Sequence, residues 1–166
     1  MNHVPVMLRE CIEGLSIRPD GIYVDCTLGR GGHSYEIASH LSSGKLYALD
    51  RDETAIQEAG KRLAPFGDRV ELVRANFRDL KTVLAGRGVK AVDGVLFDLG
   101  VSSPQLDDPA RGFSYMADAP LDMRMDREDS LTAREIVNHW TKEDLKKVLF
   151  EYGEERYAPL IAASIV

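Results

Sequence analysis

Asp25, Asp50 and Asp98 share one setting: each closes a short apolar run and is followed by residues that break a strand. A carboxylate at the end of a strand can accept hydrogen bonds from a ligand's hydroxyl or amino groups. Asp25 is followed by Gly29, Gly31 and Gly32, and then by Ser34–Ala38, which reads as the first turn of a helix. Strand, glycine turn and helix together let the backbone approach a bound molecule closely, because side chains at the glycine positions would fill the ligand's space. The carboxylate of Asp25 is expected to face that crevice. Asp50 comes at the end of the next apolar run, 45–49, where an acid can accept from both hydroxyls of a ribose.

A glycine cluster alone also fits a plain tight turn, and the acid at the end of the following strand shifts the balance toward a nucleotide-type cofactor. NAD sites usually read G-x-G-x-x-G. Here Asp25 precedes Gly29-x-Gly31-Gly32, a pattern closer to an S-adenosylmethionine (SAM) loop, with an NAD-dependent oxidoreductase as an alternative. Phe77 fits two roles equally, a ring against an adenine or a core phenylalanine. After Asp98, the run 99–106 contains Gly100 and Pro104 and is expected to be a shaped loop, not the start of a helix. Many amino-group methyltransferases place the methyl acceptor at such a loop. The irregular stretch that continues through Arg111–Tyr115 and 119–126 is too long for a simple connection, and its aromatic and methionine residues suggest a functional loop or lid.

The elements that must position these residues alternate. A helical stripe at Leu8, Cys11, Ile12 and Leu15 ends in the turn 18–21, before the strand that closes at Asp25. Helices are expected over 34–41, stopped by Ser42-Ser43-Gly44, and from Asp52 as N-cap toward Leu63. A third strand covers 70–73, a short helix reaches Ala85, and a fourth strand covers 92–98. Strands and helices at this pitch imply an α/β fold with a parallel, doubly wound sheet, which collects Asp25, the glycine turn, Asp50, Phe77 and Asp98 at the carboxyl edge. The tail reads as helical. Thr141 with Asp144 resembles a capping box, and Leu145, Val148, Leu149 and Tyr152 form a stripe closed by Gly153. His139 and Trp140 are expected to pack on this hairpin, and Pro159 to kink the last helix or shift its start.

At 166 residues, 44% hydrophobic and 29% charged, the composition is that of an ordinary globular domain with a substantial core. No apolar run approaches a membrane span, and the N-terminus lacks a signal pattern. Two cysteines, Cys11 and Cys26, and scattered histidines, His3, His33, His40 and His139, provide neither a disulfide framework nor a metal site, so a cytoplasmic protein without metal or membrane partners is expected. A net charge of −6 argues against nonspecific coating of nucleic acid but allows a local RNA-gripping patch.

Six segments occur in order: DCTLGRGGH at 25–33, DRD at 50–52, DLGVSSPQLD at 98–107, RGFSY at 111–115, PLDMRMD at 120–126 and YGEER at 152–156. Together they resemble the bacterial small-subunit ribosomal RNA cytidine-N4 methyltransferases of the MraW (RsmH) type, over nearly the whole chain. The resemblance implies a Rossmann-like SAM-dependent methyltransferase fold. It implies SAM contacts at Gly31, Gly32, His33, Asp50, Phe77, Asp98 and Gln105, with Asp25 and Gly29 as further candidates. The substrate it implies is a cytidine of 16S rRNA within the small ribosomal subunit. Because the cytidine N4 lone pair is delocalised into the ring, a hydrogen-bond acceptor is needed there, and Asp98 with the backbone of Ser102, Ser103 and Pro104 is the candidate set. Asp98 could instead serve the SAM side. Phe113 or Tyr115 could stack on the unstacked base. Family members are roughly twice as long, so residues 1–129 would form the SAM-binding core and 130–166 the start of a helical insertion. Such a portion alone is expected to bind SAM without turnover. A SAM-binding module without activity and an amino methyltransferase acting on DNA or a small molecule are the alternatives.

Overall fold

The computed structural model describes residues 5–166; His3, the first of the scattered histidines, lies outside them. By their contacts these residues divide after Gly100 into two compact units.

The first unit is a four-stranded parallel sheet in the order β3-β2-β1-β4, formed by β1 (Ile22–Asp25), β2 (Lys45–Asp50), β3 (Val70–Arg74) and β4 (Gly94–Leu96). Successive side chains of a strand face opposite sides of the sheet. Tyr23, Leu46 and Ala48 accordingly join one core layer, and Val24, Tyr47 and Leu49 join the other. On the first side pack α1 (Leu8–Leu15), α2 (Gly32–His40) and α3 (Glu53–Leu63), through Cys11, Ile12, Leu15, Ile37, Ala38, Ala59 and Leu63. On the second side packs α4 (Leu80–Ala85), through Leu80, Val83 and Leu84. With helices on both faces the fold is the doubly wound α/β arrangement expected. The chain runs outward from β1 to β3 and then crosses to β4 on the far side of β1, which makes the β1–β4 boundary a topological switch point.

Local chemistry sets the boundaries. Asp52 accepts the amide of Thr54 at 3.0 Å and so caps α3 as its position suggested. β4 is shorter than the expected 92–98. At its start the Asp93 carboxylate accepts the Ile22 amide at 2.8 Å, and at its end the Asp98 amide turns away to the Thr27 hydroxyl at 2.7 Å. Side chains thereby take over the bonds that a longer ladder would have made.

The second unit begins with α5 (Ser103–Asp107), where the sequence suggested a loop without a helix start. Pro104 is no obstacle in a first turn, whose amides lack intrahelical partners in any case. The Gln105 side chain accepts the Ser102 amide at 3.0 Å, the returning half of a capping box. The long irregular stretch that follows is heavily cross-linked. Arg111 is buried and donates to the carbonyls of Arg124 and Met125 at 3.0 and 3.1 Å. Arg124 grips both oxygens of Asp122 at 2.8 and 2.7 Å and donates to the carbonyls of Arg127 and Asp129. Ala133 and Arg134 then donate to the carbonyls of Asp122 and Leu121, joining this stretch to α6 (Ala133–His139). Contacts therefore group 101–129 with the helices, where the sequence had suggested a boundary at 129/130.

α7 (Lys142–Glu151) and α8 (Ala158–Ile165) bury Leu145, Ala158 and Ala162. Thr141 caps α7 by accepting the Asp144 amide at 3.2 Å, but Asp144 returns to the Thr141 hydroxyl and so makes a variant of the expected box. Tyr152 is 80% exposed and leaves the stripe, and the left-handed residue after α7 is Glu154. Pro159 lies in the first turn of α8, so it marks the helix start and introduces no kink. His139 is exposed and pairs with Glu135 of its own helix instead of packing on the hairpin. No described helix is long and apolar enough to cross a membrane.

Candidate functional site

The carboxyl ends of β1, β2 and β4 meet the glycine turn in the first unit. Gly29 and Gly31 hold φ of 50° and 71°, the left-handed region that costs glycine nothing, and Gly31 leads into α2. At Gly32 the restriction is space, since a Cβ there would collide with the ring of Pro5.

Asp25 does not face the crevice as expected. It is 1% exposed and its carboxylate is consumed internally, accepting the Ser34 hydroxyl at 2.7 Å and the Thr27 amide at 3.0 Å. Burial raises its pKa, opposed by those two hydrogen bonds. Asp25 thus ties the end of β1 to the start of α2, a structural fastening of the turn.

Asp50 is different. Its oxygens accept the amides of Gly29 at 2.9 Å and Asp52 at 2.9 Å, and the residue remains half-buried. Burial pushes its pKa up as well. The Arg51 backbone amide also bonds to it; a carboxylate has about four acceptor positions, so some capacity for a further donor remains on its exposed side.

Asp98 stands just past β4 with its side chain 43% exposed. His33, the second residue of α2, is 5% exposed. Its Nδ1 lies 3.8 Å from Oδ2 of Asp98, and its Nε2 lies 3.0 Å from the carbonyl of Val6. Phe77 is an exposed ring, 42% accessible, which removes the core alternative. It meets Phe97 edge to face, with centroids 5.5 Å apart. The two follow β3 and β4, the outer strands, which at ordinary strand spacing lie about 14 Å apart, so their rings reach toward each other from opposite edges. An exposed aromatic pair beside an open carboxylate can take the flat face and the hydroxyls of one nucleoside.

The other candidates belong to the second unit. Ser102, Ser103, Pro104 and Gln105 build the start of α5, with Gln105 buried through its bond to the Ser102 amide. Phe113 is half-buried with the Arg111 guanidinium 5.8 Å from its ring, whereas Tyr115 is 95% exposed. Three contributors went unnoticed in the sequence: Thr27, Ser34 and Phe97. An aromatic directly before a strand-terminal acid was the available signal for Phe97; nothing local marks Thr27 or Ser34, whose partners come from elsewhere in the fold. Among the described residues no group of three or more His, Cys, Asp or Glu could hold a metal ion.

A ribosomal RNA small subunit methyltransferase H from Brevibacillus brevis is 55% identical over 166 residues, 99% of this chain and 53% of the relative. The chain therefore spans about half the length of that curated relative. A crystal structure of a candidate rRNA methylase from Clostridium thermocellum superposes with a TM-score of 0.51 at 22% identity, covering 60% of this chain and 54% of its own, a likeness of fold. The MraW methylase family profile matches residues 1–166, and the chain belongs to that family.

Proposed function

We propose that this chain carries the S-adenosylmethionine site of a methyltransferase that modifies the exocyclic N4 amine of a cytidine in 16S rRNA of the small ribosomal subunit. The observation that carries the reading is Asp50. Its carboxylate is held by backbone amides, among them those of Gly29 and Asp52, at the end of β2 and keeps an exposed side that a ribose hydroxyl can reach. The aromatic pair of Phe77 and Phe97 provides an apolar wall for an adenine. The family and the 55% identical relative favour methyl transfer to ribosomal RNA over hydride transfer.

A SAM sulfonium supplies an already activated methyl group, so the protein's task is alignment. In this reading Gly31, Gly32 and His33 form the turn beside the cofactor, Asp50 holds its ribose, and Phe77 with Phe97 faces its base. Asp98 and Gln105 contribute further contacts. For the cytidine amine the candidate acceptors are Asp98 or, with Asp98 on the SAM side, the backbone at Ser102, Ser103 and Pro104, and Phe113 or Tyr115 is the candidate to stack on the base. The first unit, ending at Gly100, forms the cofactor core, and 130–166 begin a helical substrate-recognition part. In this reading the enzyme works in the cytoplasm, where ribosomal subunits are built.

Calorimetric titration of the chain with SAM and NAD separates the cofactor readings; NAD binding without SAM binding would replace this one. Asp50→Ala is expected to weaken SAM binding about ten- to a hundredfold, the loss of charge-assisted hydrogen bonds worth about 1.5–3 kcal/mol. Unchanged affinity would remove Asp50 from the site. In a chain of the relatives' full length, Asp98→Ala and Gln105→Ala should lower methyl transfer to unmethylated small subunits with native circular dichroism. The 166-residue chain is expected to bind SAM without turnover. Label on DNA cytosines in preference to small subunits would favour the alternative substrate.

A further inference from the structure

The chain leaves β1 by bonding first to one neighbouring strand and then to the other. Cys26 donates its amide to the Leu96 carbonyl of β4 at 2.9 Å, and Leu28 donates to the Leu49 carbonyl of β2, also at 2.9 Å. Thr27 stands between them, half-buried, at the boundary where the strand order reverses. Ligands of open α/β sheets lie in the crevice at such a boundary, and a crevice needs the two strands to stop pairing there.

The register says what the next rung of the ladder would be. Asp25 lies opposite Leu96, so continued pairing would set Thr27 opposite Asp98 and give the Asp98 amide to the Cys26 carbonyl. The Thr27 hydroxyl takes that amide instead, at 2.7 Å, and β4 ends at Leu96. An amide can only donate, so the hydroxyl oxygen is the acceptor. Thr27 is fixed in turn by the buried Asp25, whose Oδ1 accepts the Thr27 amide at 3.0 Å. The opposite end of β4 is also closed by a side chain. There the Asp93 carboxylate accepts the Ile22 amide at 2.8 Å and the Arg18 guanidinium at 2.5 Å, but it does so at the start of the strand, away from the carboxyl edge.

We propose that Thr27 is a positioning residue for the cofactor site: its hydroxyl stands in for a strand carbonyl, holds the amide of Asp98, and keeps the ends of β1 and β4 parted at the switch point. A backbone carbonyl in the same role would draw Asp98 into the ladder. A side chain reaching into the gap holds it one step out. Asp25, whose carboxylate is consumed inside the turn, thus serves the site indirectly by fixing Thr27. The inference deepens the cofactor reading above and rests on it for the affinity measurement alone.

Two measurements test it, on Thr27→Val and Thr27→Ala, which lose the hydroxyl with and without keeping the bulk, and on Thr27→Ser, which keeps it. The first needs no cofactor. Amide hydrogen exchange at Asp98 should speed up about tenfold or more in Thr27→Val and Thr27→Ala and stay within about threefold of wild type in Thr27→Ser. The Cys26 amide, one rung earlier, should keep its protection in all three. Unchanged exchange at Asp98 without the hydroxyl overturns the hold on that amide, and equal acceleration at Cys26 overturns it in favour of general fraying of β4. The second measurement is calorimetric titration with SAM. Thr27→Val and Thr27→Ala should bind about tenfold more weakly, and Thr27→Ser within about twofold of wild type. Asp93→Ala controls for loosening of the same strand pair from its other end: it should lower the urea midpoint yet leave SAM affinity within about twofold. Wild-type affinity without the hydroxyl, or an equal loss in Thr27→Ser or Asp93→Ala, overturns the positioning role. A wild-type chain that fails to bind SAM refutes the cofactor reading, while the exchange measurement still decides whether Thr27 holds Asp98.

Discussion

The glycine turn of the first unit and the long stretch 108–132 of the second solve the same problem with opposite chemistry. Both are irregular backbone that must hold one shape. In the turn, carboxylates gather amides: Asp25 takes Thr27, Asp50 takes Gly29 and Asp52, and Asp52 takes Thr54. In the second unit, guanidiniums gather carbonyls: Arg111 takes Arg124 and Met125, and Arg124 takes Arg127 and Asp129. Amide-gathering leaves the N–H groups of a turn pointing inward around acidic oxygens, one of which, Asp50, stays open to a ligand. Carbonyl-gathering by a planar fork with five donors leaves a rigid stretch from which Tyr115 and Met116 project, 95% and 81% exposed. The first arrangement makes a receptacle and the second a platform.

The largest expected break in this comparison is Asp25→Ala. It leaves the buried Ser34 hydroxyl and Thr27 amide without their acceptor and should cost about 2–4 kcal/mol in urea unfolding of the first unit. A loss below about 1 kcal/mol would mean that the turn is not fastened from inside.

Arg124→Ala comes next, with a smaller loss of stability, because the bidentate pair with Asp122 and two carbonyl bonds go together. The stretch should become open to limited proteolysis between 114 and 131, and Arg124→Lys should rescue it only in part, since an ammonium lacks the fork. Equal resistance of wild type and Arg124→Ala would show that the stretch does not depend on its guanidinium.

Phe97→Ala sharpens the receptacle side. Loss of its edge-to-face partner should cost Phe77 about 1 kcal/mol of a nucleoside's binding energy, near fivefold in Kd by calorimetry. Phe77→Ala and the double variant should fall in the same range. A double variant weaker by the product of both losses would show that the rings act separately.

The smallest effect distinguishes the two regions by pH. Asp122 is held down to about 2, chiefly by its hydrogen bonds from Arg124, so its contribution is complete above the unfolded value near 4 and is lost as pH falls through about 2. Because the pair is partly solvated, that contribution is below about 1 kcal/mol. Asp25 and Asp50 are displaced upward by burial, which has the opposite sign: acidification through their range relieves a penalty. Amide exchange at Arg124 should therefore rise on acidification before exchange at Thr27 or Gly29 does. The reverse order would contradict the contrast between the two regions.

Much of this was legible locally. The Asp52 cap, the break at Ser42–Gly44 and the strands ending in Asp25 and Asp50 follow from propensity and period, which act within a few residues. Ser102–Asp107 misled because Gly100 and Pro104 look like loop residues, although proline belongs in a first helical turn and the Ser-x-x-Gln spacing was present. Tyr152 misled because helical spacing says which residues share a face, not how far that face is covered.

The sequence by itself determined the alternation of strand and helix, the glycine turn and the acids that end the strands, because each depends on backbone preferences and hydrophobic period over short distances. Which acid is consumed by the fold and which keeps an open side was decided only in three dimensions. Asp25 and Asp50 close two neighbouring parallel strands in the same way, yet Ser34 returns onto the first and leaves it 1% exposed, while the second keeps an open side. The aromatic pair, 20 residues apart in sequence, and the bond from the Asp98 amide to the Thr27 hydroxyl likewise exist only because the sheet order β3-β2-β1-β4 brings distant loops to one edge. Burial and long-range pairing depend on which chain segments become neighbours, and no local pattern carries that information.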